Sequence, residues 1–241
     1  MGLADLPKAD AFNGTLSFVR FEGKTYAITA YHVVEFLRRK AREVHGDGWL
    51  FSTLLGGKGN SVIERYIPSL PDTFTQPSPV YPEKAVDVAL ILVTDRFLQH
   101  IGKAAFPFER DADNSARVGF AVGYPTGEKA DVVDEKGHRV GMNCVQAVAE
   151  RVSNIQYFSE IPELPKVGSL SGMSGGPVFV PYQQEEISLA GIIREGSPFV
   201  FDDASGSYDL VAGLTDGPRV SFAVQPITAG LLQAWVAELG R

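Results

Sequence analysis

From Thr15 onward the chain is a series of short apolar or alternating runs cut by turn residues, and this pattern constrains the fold more than any other feature. Thr15–Phe21 (TLSFVRF) alternates, Glu22-Gly23-Lys24 is a turn, and Thr25–Ala30 (TYAITA) returns. Further strands are expected at Trp49–Leu55, within Ala85–Val93 (AVDVALILV) and at Arg117–Pro125. Asp131–Val152 reads as a hairpin around Glu135-Lys136-Gly137. Pro177–Tyr182 (PVFVPY) and Ile187–Ile193 (ISLAGII) pair across Gln183–Glu186. Pro68–Lys84 is rich in proline and is expected to be an exposed loop. Helical spacing marks His32–Val44, with basic residues late, and Pro226–Leu239. Strand follows strand instead of alternating with helix, which predicts an all-β barrel or sandwich.

With 241 residues, 44% of them hydrophobic, the chain can bury one large core; all-β proteins of this length are often one unit. Net charge is −7, and the one dense basic group is Arg38, Arg39, Lys40 and Arg42, at the expected helix end. No basic footprint for nucleic acid is present, and an acidic surface repels phosphate. The single cysteine, Cys144, rules out an intrachain disulfide. The N-terminal residues contain no apolar run of signal-peptide type, and no segment has membrane-spanning length. A reducing, cytoplasmic setting is the expectation. One cysteine and four scattered histidines give no metal-ligand spacing, so neither metal nor other cofactor is expected.

The chemistry centres on Ser174 in Ser169–Val180 (SLSGMSGGPVFV), a G-x-S-x-G pattern shared by several hydrolase folds. In the α/β-hydrolases the histidine follows the serine. Here His32, His45, His100 and His138 all precede Ser174, and PVFVPY reads as a strand where that fold needs a helix. The order His, Asp, Ser is available instead. His32 sits in ITAYHVV, where strand gives way to helix, and Asp87 sits between Val86 and Val88. A carboxylate in an apolar run is costly unless partnered, and a serine hydroxyl needs a neighbouring imidazole to take its proton. His45, His100 and His138 read as solvated structural residues.

These three segments together resemble the chymotrypsin/trypsin-like serine protease family, in its bacterial, disulfide-free form. Thr29, Ala30 and His32 match its T-A-x-H segment; Asp87, Ala89 and Leu90 match its D-x-A-L strand; GMSGGPV matches its G-x-S-G-G-P loop. The resemblance runs from about Gly14 to the C-terminus. It implies a double β-barrel with a C-terminal helix: one peptidase domain over 1–241, with halves at roughly 13–110 and 111–225 and the helix at 226–239. It also implies Ser174 as nucleophile, His32 as base, Asp87 as the group orienting His32, and the N–H groups of Gly172 and Ser174 as oxyanion donors.

Departures from the family pattern shape the expected specificity. Met173 stands where digestive members carry an acid that pairs with a newly cut N-terminus, so that activation route is not expected. Gly168 falls at the base of the primary pocket, with Ser169 beside it; without an aspartate there, a preference for Arg or Lys is not implied. A small or medium apolar residue is expected before the scissile bond. Arg194, Glu195 and Gly196 fall on the substrate-binding strand, and Arg194 replaces a serine that helps hold the catalytic aspartate. Asp202, Asp203 and Asp209 are candidates for the pocket rim. The expected function is a serine endopeptidase working through an acyl-enzyme on a polypeptide substrate, with no nucleic-acid or membrane partner. The alternative is a peptide-binding module on the same fold, either catalytically silent or switched on by a regulatory protein partner, within a bacterial stress or defence assembly.

Overall fold

The computed structural model describes residues 2–3, 13–45, 51–54, 66–70, 73–80, 86–113, 115–125, 129–134, 137–142, 144–151, 157–160, 171–183, 186–197, 199–202, 207–210 and 221–239. The first half contains β1 (Gly2–Leu3), β2 (Ser17–Phe21), β3 (Lys24–Thr29), α1 (Tyr31–His45), β4 (Phe51–Leu54), β5 (Tyr66–Leu70), β6 (Ala89–Val93), α2 (Asp95–His100) and β7 (Phe106–Pro107). The second half contains β8 (Val118–Gly123), β9 (Lys129–Asp134), β10 (Gly137–Met142), β11 (Val145–Arg151), β12 (Tyr157–Glu160), β13 (Pro177–Tyr182), β14 (Glu186–Ser197), β15 (Phe199–Asp202), β16 (Ser207–Leu210) and β17 (Ser221–Pro226), then α3 (Ala229–Val236).

The first half is built on a sheet of order β6-β3-β2-β7. Its β2–β3 hairpin turns at Glu22 (φ 49°) and Gly23 (φ 74°), two successive left-handed residues that match the twist of the flanking strands. Both faces of β3 and its neighbour β6 meet other elements. Ala27 of β3 and Ala89 and Ile91 of β6 pack with Val34, Leu37 and Ala41 of α1. Tyr26, Ile28 and Leu90, which alternate with them, pack with Leu232 and Trp235 of α3 and Leu189 and Ile192 of β14. Burial of Ala89, Leu90 and Ile91 on alternating faces explains why the start of β6 is apolar without alternation, while Leu92 is exposed.

The second half closes. Six strands hydrogen-bond in the ring β11-β12-β17-β14-β13-β8, with β8 returning to β11. Inside it Ala121, Ala147, Met173, Val178, Ile193, Phe222 and Val224 form a core. The β9–β10 and β15–β16 hairpins form separate two-stranded sheets, β9 and β10 meeting at Asp134↔Gly137 around the expected turn.

Three expectations change. Among the described residues the first half is not a closed barrel: its four-stranded sheet is accompanied by a separate three-stranded one, β1-β4-β5. The Pro68–Lys84 stretch is not wholly an exposed loop. Pro68 pairs with Ser52 in β5, Thr75 bridges to Leu90, and Phe74 is buried against Phe51. The buried Phe74 anchors that stretch inward in spite of its prolines. The terminal helix is also shorter than its apolar periodicity, beginning after the N-cap Thr228, whose hydroxyl accepts from Leu231 N–H at 3.2 Å. No helix among the described residues is long and apolar enough to cross a membrane.

Candidate active site

Strand register brings the histidine to the aspartate. β3 and β6 run antiparallel with Thr29 opposite Ala89. Continuing that register past both strand ends sets Asp87 beside Tyr31 and His32, where α1 starts. His32 lies in the first turn of α1, whose N–H groups have no partner within the helix. Its N–H donates to Asp87 Oδ1 at 2.9 Å, and its ring Nδ1 lies 2.7 Å from Asp87 Oδ2. One carboxylate therefore caps the helix start and fixes the imidazole. With Nδ1 protonated toward Asp87, Nε2 is left as the acceptor.

Asp87 is sheltered and His32 is open: their side chains are 19% and 51% exposed. Burial alone would raise the Asp87 carboxyl. The two hydrogen bonds from His32, with the attraction of His32 and Arg194, outweigh it and hold the group below its ordinary value. The second half contributes a support that the sequence reading did not identify. Gln225, a buried amide on β17, accepts from the Asp87 N–H at 3.3 Å.

Ser174 sits in the turn 171–175, between two left-handed glycines, Gly172 (φ 91°) and Gly175 (φ 87°). A Cβ on Gly175 would collide with the Thr29 hydroxyl and the Thr15 carbonyl, so only glycine fits there. Met173 points the other way, fully buried in the barrel core. An apolar side chain suits that setting.

The serine loop is tied to the first sheet by hydroxyls. Thr15 N–H donates to the Ser174 carbonyl at 2.9 Å, and Thr15 Oγ1 donates to the Gly172 carbonyl at 2.9 Å while accepting from Tyr124 N–H at 3.1 Å. Ser17 Oγ donates to the Gly175 carbonyl at 2.7 Å, and Thr29 Oγ1 to the Thr15 carbonyl at 2.8 Å. Thr29 is two residues from the start of α1, so these bonds link the Ser174 loop to the strand that leads into α1 and His32. Among the described residues the N–H groups of Gly172 and Ser174 donate to no protein acceptor, which leaves both available to an oxyanion.

His32 and Ser174 face one cavity of about 720 Å³. His32, Phe36, Arg39 and Arg42 of α1 form one wall; Gly172 and Ser174 form the other. The two catalytic candidates are not hydrogen-bonded to each other; such contacts are often long in an unliganded site and tighten with substrate.

Arg194 lies at a bulge. Ile193 pairs with Val224 and Glu195 with Ala223, so Arg194 is the extra residue of β14, close enough for its charge to act on Asp87. Its guanidinium, 3.9 Å from Glu195, remains largely exposed. Gly196 pairs with Phe222 on the same strand. Gly168, Ser169 and Asp203 lie outside the described residues. Asp202 and Asp209 belong to the β15–β16 hairpin, and His138 to β10. His100 is exposed at the end of α2, while His45 ends α1. No cluster of metal-binding side chains occurs among the described residues.

No protein-family model matches the chain, and no curated protein sequence matches it. One solved structure with which it aligns is described as a Glu endopeptidase in complex with MPD. The alignment covers 100% of this chain and 96% of that one, at 13% identity and a TM-score of 0.39. A likeness that weak carries no weight for the chemistry here.

Proposed function

We propose that the chain is a serine endopeptidase of the chymotrypsin-like type, a single peptidase unit in which the 13–110 and 111–225 halves meet at the site and the 226–239 segment packs across them. The observation that carries this reading is the double hydrogen bond from His32 to Asp87, with His32 sharing a cavity with Ser174. Ser174 Oγ attacks the substrate carbonyl as its proton passes to His32 Nε2. Asp87 holds the imidazole tautomer and stabilises the imidazolium. The N–H groups of Gly172 and Ser174 accept the oxyanion as hydrogen-bond donors. His32 then protonates the leaving amine, and water repeats the sequence on the acyl-enzyme. No step uses a metal.

Substrate is read on β14. Beyond Ile193, whose N–H and carbonyl bond Gly176 and Gly175, this strand pairs with β17 alone among the described residues, leaving an edge to which an extended peptide can add as a further strand. Arg194, Glu195 and Gly196 lie on that edge, and Gly168 and Ser169 are assigned to the pocket for the residue before the scissile bond.

The missing Ser174–His32 hydrogen bond favours one second reading: a peptide-binding module held silent until a partner closes the site. Intact-mass spectrometry after fluorophosphonate treatment separates the two. A single adduct on wild type, absent in Ser174→Ala and His32→Ala, is the expected result. Folded wild type that takes no adduct refutes the autonomous protease.

A further inference from the structure

The basic run at the end of α1 remains outside the mechanism, yet it lines the same cavity. Arg38, Arg39 and Arg42 all face it, as does Glu35. Residues 32, 35, 39 and 42 repeat at three- and four-residue steps and so form one stripe of the helix, beginning at the catalytic imidazole. Arg38 is held by its bond to the Phe74 carbonyl at 2.8 Å. Arg39 lies over the Phe36 ring, 5.4 Å from its centroid. Among the described residues neither Arg39 nor Arg42 forms an ion pair; the nearby Glu43 is engaged by Lys40 at 2.7 Å. Two exposed guanidinium groups thus border the cavity of a chain whose net charge is −7.

The chemistry fixes which end of a substrate passes here. The acyl part stays bonded to Ser174, and His32 must reach the departing amine to protonate it. The leaving segment therefore runs over His32 and along the helix that His32 begins. We infer that this cavity is the binding site for the leaving segment of the substrate, and that Arg39 and Arg42 select acidic residues in that segment. The inference rests on the protease reading.

Spacing sharpens it. At about 1.5 Å per helical residue, Arg39 lies about 10 Å and Arg42 about 15 Å along α1 from His32. An extended peptide advances about 3.3 Å per residue, so these distances correspond to about the third through fifth residues after the scissile bond. Glu35, one turn from His32, opposes negative charge at the first two. The selected pattern is an acid-free start followed by Asp or Glu.

A random peptide library is digested with wild type, and the new N-termini of the products are sequenced. Fluorophosphonate labelling of the same preparation is read in parallel. Asp and Glu should be enriched at the third to fifth positions after the cut. For a quenched-fluorescence pair differing only by Glu or Gln there, kcat/KM should favour Glu by about tenfold. Arg39→Glu with Arg42→Glu should reverse the selection toward Lys and Arg. The milder Arg39→Gln with Arg42→Gln should abolish it, and Arg96→Ala with Arg117→Ala, away from the cavity, should keep it. Labelled wild type that shows no acidic preference, or a preference that survives the charge reversal, overturns the inference while the protease reading stands. Folded wild type that takes no label overturns both.

Discussion

Asp87 grips His32 twice, by the backbone N–H at 2.9 Å and by the ring nitrogen at 2.7 Å, so the start of a helix and the tautomer of an imidazole depend on one carboxylate. The arrangement is economical because a helix N-terminus favours a nearby anion. On the proposed mechanism it also couples local folding to catalysis: displacing the carboxylate loosens the first turn of α1 and leaves the ring free to rotate.

Asp87→Asn tests that coupling. The amide oxygen can still accept from the His32 N–H, but an NH₂ facing Nδ1 makes that nitrogen the acceptor and spoils Nε2 as a base. On the proposed mechanism kcat should fall about ten-thousand-fold with the fold intact. The pH dependence follows from the direction of the Asp87 shift. Its carboxyl is lower in the folded state than the ordinary 3.8, so its contribution to stability is complete above that value and is lost as pH falls through the lower folded value. Urea unfolding of wild type and variant should differ at neutral pH and converge in strong acid. A gap that persists there would mean that Asp87 stabilises through packing instead of charge.

The strand-rich character was legible because it rests on local pattern, alternation and turns; the meeting of His32 with Asp87 was implied by the resemblance of their motifs, with a carboxylate in an apolar run as the one local hint. The supports were less legible because they join distant segments. Thr15 and Ser17 share a strand face with Val19 and Phe21, and all four are buried. Two hydroxyls on an otherwise apolar inward face were the available signal; their partners at 172–175 could not be read from it. Gln225 gave a similar hint, an amide in the apolar run SFAVQP. The expected first barrel failed for a different reason. Strand count does not determine closure: among the described residues β4 pairs with β1 and β5 instead of joining β6-β3-β2-β7.

Met173 is a site where an acid should be harmful. The residue is fully buried among Ala121, Ala147, Ala149 and Val178. Among the described residues that core holds no cation to pair with a carboxylate placed there, and its burial costs at least about 3 kcal/mol. Met173→Asp should unfold at clearly lower urea concentration or fail to accumulate as soluble protein. Met173→Leu should stay within about 1.5 kcal/mol of wild type, since it conserves volume and polarity. Equal stability of the Asp variant and wild type would show that this side chain does not enter the barrel.

Tyr124 should be detectable by alkaline titration. Burial, with the charge of and hydrogen bond to Cys144, pushes its phenol up to about 12. The folded state therefore holds this proton more tightly than the unfolded state does. Its contribution to stability is complete below the ordinary value of 10.0 and lost as pH rises toward about 12. Ultraviolet difference spectra should show a late phenolate step that Tyr124→Phe lacks and that Cys144→Ser moves to lower pH. A Tyr124→Phe titration curve differing from wild type only near 10 would contradict the half-buried setting of the Tyr124 phenol beside Cys144.

Thr15 carries the longest chain of consequences. Its hydroxyl donates to the Gly172 carbonyl and accepts from Tyr124 N–H, while its own carbonyl receives Thr29 Oγ1. Thr15→Val keeps the shape and removes the hydroxyl, leaving two buried backbone groups without partners at a cost of about 2–4 kcal/mol. The stability loss alone would fit any buried threonine. A role in setting the nucleophile loop predicts more: the fluorophosphonate labelling rate, measured well below the unfolding midpoint, should fall by about tenfold or more, because a released Gly172 peptide misplaces an oxyanion donor. Thr15→Ser restores the hydroxyl without the methyl and should recover most of that rate even where it recovers only part of the stability. Labelling that tracks stability alone across the three proteins would reduce Thr15 to a packing residue.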